Sequence, residues 1–228
     1  MTRTTNARLA GIIFLLYIAT GITCMFLTGH TTSGAEGTAA KLASMAQHAS
    51  LVRVDIVLTL LQAGYALVLA VTLYALTRDE DRDLAVMALC CRVGEGVVIA
   101  VVAPLETLAL LSVATAGTAA TGADAAARNA LGALLLKMGD STGLIAATCF
   151  AVGSTLYAYL FLRARGIPVP LAWLGVFASV LLVVALPLQL AGFIQGPVTS
   201  FIWLPMLAFE VPLGLWLLIK GVATQATR

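Results

Sequence analysis

The chain has 228 residues, of which 61% are hydrophobic and only 11% charged, and its mean hydropathy is +1.01. A soluble domain averages about 45–50% apolar and about 25% charged, so these figures exclude an ordinary water-soluble fold and fit a chain solvated by lipid. The net charge of +2 is small, and no basic patch is interleaved with aromatics, so nucleic acid is excluded as a partner.

A hydrocarbon core ~30 Å thick takes ~20 apolar residues per helix. Span one is residues 9–27, preceded by Arg3 and Arg8. It is longer than the apolar core of a signal peptide and is followed by no small-residue cleavage site. Residues 28–52 are polar and rich in small side chains, with Leu42, Met45 and Ala49 on one helical stripe. Two readings stay open there: a short amphipathic helix at the membrane surface, or a packed loop. Span two is 54–76. Its Asp55 and Gln62 are seven residues apart and so share a face, with Arg53 at the mouth. The charge run 77–83 (TRDEDRD) reads as a solvated turn.

Span three, 84–112, is the most informative stretch: it is apolar enough to cross a bilayer yet carries Arg92, Glu95 and Glu106. Residues 113–139 begin rich in Ala, Gly and Thr. From 124 to 137 they turn helical, over a length too short to span. Span four, 141–162, starts at Asp140-Ser141-Thr142, where Asp140 reads as an N-cap. Its Gly143, Gly153 and Ser154 are small enough for close helix contact. The run 166–170 (GIPVP) is a turn, because Pro fixes its φ and blocks helix continuation. Spans five and six are 171–193 and 199–219; Pro187 lies in the first, and Pro205, Glu210 and Pro212 in the second. The expected fold is therefore all-α: an integral membrane bundle of six transmembrane helices in one domain, with short interfacial helices in the extracytoplasmic connections.

Positive charges favour the cytoplasmic side. With the N-terminus inside, eight fall inside (Arg3, Arg8, Arg78, Arg82, Arg163, Arg165, Lys220, Arg228) and four outside (Lys41, Arg53, Arg128, Lys137). This predicts N-in, C-in. The four cysteines, Cys24, Cys90, Cys91 and Cys149, all lie in apolar runs without a C-x-x-C pair. They read as buried reduced thiols, and neither a metal nor a cofactor is expected.

A charge at the centre of an inserted helix costs about 2.5–3.5 kcal/mol on translocon scales, so it faces the protein interior and finds a partner. Arg92 and Glu95, three apart, are neighbours on one face. Glu106, eleven beyond Glu95, lies close to three full α-helical turns further on and continues the stripe. Glu210 falls halfway along span six, so Arg92, Glu95 and Glu210 are expected to meet near the midplane. Two carboxylates and one guanidinium leave one negative charge, which a shared proton would relieve. Glu106 is expected to pair with Arg53 or Lys137 on the outer side, where Asp55 and Asp140 also lie.

The ordered set of short motifs resembles a bacterial family of small membrane proteins known as domain of unknown function 4386. The set comprises residues 8–12 (RLAGI), Asp55, 73–76 (LYAL), 92–95 (RVGE), Tyr159 through Arg163 to Ile167-Pro168, Leu174-Gly175, Glu210 and 215–221 (LWLLIKG). Each is weak alone; their order along nearly the whole chain is the signal. One departure is visible: Val169 follows Pro168 where the pattern has Arg. The resemblance implies a six-helix type of membrane protein and no established activity.

Function stays open between classes. The leading reading is a non-enzymatic membrane protein that binds a small polar ligand or lipid headgroup at Arg92, Glu95 and Glu210. Arg92 would hold an anionic group or neutralise the carboxylates, which would hold a cation or proton. A small proton-coupled transporter using the same carboxylates is the alternative, although no internal repeat supports it. An enzyme is the third reading; the chain has no H-E-x-x-H helix, no histidine in a span and no nucleotide loop, which leaves carboxylate-only chemistry. In the fourth, the charges only fix helix packing or serve a protein partner. Membrane lipids are partners on any reading, and a homo-oligomer is open.

Overall fold

The computed structural model describes residues 2–32, 36–116 and 122–222. The Ala-, Gly- and Thr-rich residues 117–121 and the expected inside charge at Arg228 lie outside the described residues. Every regular element among the described residues is helical: α1 (Arg3–Thr32), α2 (Thr38–Gln47), α3 (Ala49–Thr77), α4 (Arg82–Val97), a π-helical turn (Val98–Val102), α5 (Ala103–Thr115), α6 (Ala123–Ala164), α7 (Val169–Leu190), α8 (Val198–Phe201) and α9 (Leu204–Ile219).

Six segments are long and apolar enough to cross a membrane: α1, α3, α4 through α5, α6, α7, and α8 with α9. The shortest have 22 residues, about 33 Å at 1.5 Å per residue. Each contains most of one expected span, although α6 begins well before the expected start at residue 141. Large apolar side chains such as Phe26, Trp173, Phe177 and Ile219 are more than half exposed, while Ala7, Ala10, Ala88, Ala151, Ala172 and Ala178 are fully buried. Lipid solvates the large side chains as well as a protein core would, so small residues take the helix contacts.

The chain divides into two compact units. The first comprises Met1–Ile18, Gly64–Gly96 and Leu144–Arg228. Its core includes Leu69, Phe161, Leu182 and Leu213. Gly11 is required here: a Cβ would lie 2.6 Å from the Gly214 carbonyl oxygen and 2.6 Å from the Leu218 nitrogen, both backbone atoms of α9. Gly153 brings α6 against α4 in the same way, with a Cβ 3.0 Å from Arg92 Cγ and 3.2 Å from the Ala88 carbonyl oxygen. The expected close contact at Gly143 is absent; nothing lies within 4 Å of a Cβ there.

The second unit comprises Ala19–Ala63 and Val97–Gly143. Its core is Leu42, Met45, Val52, Leu110, Leu111 and Ala114. Within residues 28–52, Thr38–Gln47 form a helix that buries Leu42 and Met45. The expectation for residues 124–140 needs correcting. They form no separate helix; α6 runs unbroken from Ala123 to Ala164. No proline interrupts it, and Ser141 bonds back to the Lys137 carbonyl at 2.9 Å as a mid-helix serine does. Asp140 is therefore an exposed mid-helix residue and not an N-cap.

The π turn also changes the expected register. Pro104 has no N–H for the Ala100 carbonyl, and Ala103 N–H reaches back five residues to the Val98 carbonyl. One extra residue in a turn rotates the remainder of the helix by about 100°. The stripe expected from Glu95 to Glu106 rested on an unbroken α-helix, which the π turn replaces.

The cysteines are free, but Cys90 is exposed and the other three are only partly buried. An apolar run in a membrane chain faces lipid as readily as protein, so the expectation of buried thiols does not hold.

Candidate functional site

In the first unit, α4 carries Arg92 and Glu95 inward. Both side chains are 1% exposed, and Arg92 Nη1 lies 2.9 Å from Glu95 Oε2. The i, i+3 spacing places both on the face that Gly153 allows α6 to approach. Aromatic rings hold the guanidinium: its Cζ is 4.7 Å from the Phe150 centroid and 5.6 Å from that of Tyr17. Both distances fall within the range of cation–π attraction. The Tyr17 hydroxyl of α1 donates to Glu95 Oε1 at 2.6 Å.

The pairing is close yet incomplete. The 2.9 Å approach brings the charges together without hydrogen-bond alignment. Nε, Nη1 and Nη2 of Arg92, and Oε2 of Glu95, have no hydrogen-bond partner. Guanidinium carries five N–H donors in a rigid fork, and burying them unsatisfied is costly.

Glu210 of α9 is 7% exposed, and its Oε1 also lacks a partner. It lies close enough to feel the charges of both Arg92 and Glu95. Among the described residues, Arg92 forms its ion pair with Glu95 and not with Glu210. A cavity of about 10 Å³ adjoins Glu210, lined also by Ser154, Tyr157, Phe14, Phe161 and Phe209. Such a space holds about one water. The Tyr157 hydroxyl donates to the Ala70 carbonyl at 3.0 Å, so its proton is committed.

The outer-rim candidates lie in the second unit. Asp55 accepts from the Thr28 hydroxyl at 3.5 Å and sits by the Cys24 thiol. Gln62 faces α1 as well, its Nε2 3.0 Å from where a Cβ on Gly21 would be. The shared face expected for Asp55 and Gln62 is thus present. Glu106 Oε1 accepts from the Thr142 hydroxyl at 2.9 Å. No ion pair from Glu106 to Arg53 or Lys137 is present among the described residues, and both cations are exposed. A hydroxyl one helix away takes the place expected for a cation. No group of three or more His, Cys, Asp or Glu among the described residues is placed to hold a metal.

Tyr17, Phe150 and Tyr157 were not singled out by the sequence. The one signal was a lone tyrosine with a polar tip inside an apolar span, as at Tyr17 in FLLYIAT.

Residues 9–221 match the family described as Domain of unknown function (DUF4386). The chain belongs to this family. The match covers nearly the whole chain, including Arg92, Glu95 and Glu210, and with the six long apolar helices it makes this a multi-pass membrane protein of the DUF4386 family. No curated protein and no solved structure matches the chain.

Proposed function

We propose that this DUF4386 protein binds a small polar ligand at Arg92, Glu95 and Glu210 without catalysing a reaction on it. The observation that carries this reading is the set of buried polar atoms without a hydrogen bond: three guanidinium nitrogens of Arg92, one of them ion-paired to Glu95, and Oε1 of Glu210. A cluster serving only to lock helices together gains most when every polar atom is satisfied. The water-sized cavity favours a small ligand over a lipid headgroup. The site belongs to a bacterial cytoplasmic membrane protein with both termini inside. The excess of expected inside cations, eight against four, supports that orientation.

The test is mass spectrometry of small molecules that co-purify with the protein. The comparison is wild type against Arg92→Leu/Glu95→Gln, a pair that leaves no unpaired charge at those two positions. A species present on the wild type and lost from the variant supports the site. Matching profiles from two folded samples overturn it.

A proton-coupled transporter is the second reading, favoured by the unpartnered Glu210 oxygen beside a space for one water. Proteoliposomes that show no flux under a pH gradient exclude it.

A further inference from the structure

Arg92 and Glu95 cancel each other's charge across 2.9 Å. Glu210 is left outside that ion pair, 7% exposed, with no hydrogen bond to its Oε1. Buried carboxylates in a membrane helix are paired, take up a proton or serve an ion. The atoms around the adjoining cavity narrow the choice. Tyr157, whose hydroxyl donates to the Ala70 carbonyl, and Ser154 line the cavity beside Glu210, together with Phe14, Phe161 and Phe209 and the aliphatic Leu73, Ala158 and Leu213. A carboxylate, acceptor oxygens and aromatic rings are together a cation's environment. The volume, about 10 Å³, admits an occupant of water's size. The small space favours a compact ion over a guanidinium or quaternary ammonium group, and a divalent ion would replace an excess of one negative charge by an excess of one positive.

We infer that Glu210, Ser154 and Tyr157 form a binding site for one monovalent cation of water's size, of the ammonium or potassium class. The inference rests on the reading of the Arg92–Glu95–Glu210 cluster as a binding site and names the occupant of its Glu210 arm. Glu210 supplies the charge, the two hydroxyl oxygens accept or coordinate, and the rings exclude water and contribute their quadrupoles.

The experiment is thermal unfolding of the full chain in detergent, at fixed ionic strength and repeated at several fixed pH values. Ammonium, potassium or tetramethylammonium chloride is titrated against N-methylglucamine chloride. The expected result is a saturable rise in Tm with ammonium or potassium, none with tetramethylammonium, and none with any salt for Glu210→Gln. Should Glu210→Gln fail to fold, Ser154→Ala keeps the charge and should raise the ammonium or potassium midpoint several-fold. The inference is overturned by the absence of a saturable, size-limited rise. It is overturned equally by a rise that survives Glu210→Gln, or by stability that varies with pH alone, which would place a proton on Glu210. If the cation effect is absent while a co-purified species is still lost from Arg92→Leu/Glu95→Gln, only the cation inference fails. If both are absent, the binding-site reading fails with it.

Discussion

The Tyr17 hydroxyl donates a 2.6 Å hydrogen bond to Glu95 Oε1 across 78 residues of sequence, tying α1 to the buried ion pair of the first unit. Tyr17→Phe leaves the ring against Arg92 and removes only the donor. The expected cost is ~1–3 kcal/mol, because a buried carboxylate oxygen loses its partner. Thermal unfolding in detergent reads it as a lowered Tm, with helicity by circular dichroism unchanged at low temperature.

Breaking the Arg92–Glu95 pair from one side is more damaging. Arg92→Leu strands a carboxylate that is 1% exposed and should cost about 3–5 kcal/mol. Arg92→Leu/Glu95→Gln removes both charges and should recover much of that loss. A double-mutant cycle measures the coupling; additive costs would mean that the two side chains do not interact.

The contact of α1 with α9 depends on Gly11, where a Cβ would meet backbone atoms at 2.6 Å. Gly11→Ala forces the helices apart, and an overpacking cost of ~1–3 kcal/mol is expected. Gly143→Ala, with nothing within 4 Å, should leave the unfolding midpoint unchanged or slightly raised, since Ala is the better helix former.

Much of this architecture was legible in the sequence because membrane helices announce themselves by length and apolarity. The Arg92–Glu95 pair was legible because spacing three places side chains on one face irrespective of what surrounds them. The fate of Glu106 was not, since its angle depends on the π turn at Val98–Val102, which nothing before Pro104 in the apolar run VVIAVV signals. Nor was the course of α6: the Asp140-Ser141-Thr142 triplet has capping chemistry, but a helix continues through such residues when no proline stops it. Tyr17 and Tyr157 were hidden because an aromatic in an apolar span reads first as packing.

The partner of Glu106 gives a prediction of its own. Thr142→Val removes the hydroxyl that meets Glu106 Oε1 at 2.9 Å and should cost ~1 kcal/mol. Arg53→Ala and Lys137→Ala should leave stability unchanged, because neither cation pairs with Glu106. A lowered Tm for Lys137→Ala comparable with that of Thr142→Val would restore the ion pair expected from sequence.

The central claim is that the buried charges of the first unit are a binding site rather than a helix lock. An experimental structure of the purified protein, at a resolution that shows ordered water, tests it most directly. The expected result is non-protein density within hydrogen-bond distance of Glu210 Oε1, of the Arg92 guanidinium, or of both. Density that is protein throughout, with every Arg92 nitrogen and Glu210 Oε1 turned onto protein acceptors and donors, would contradict it.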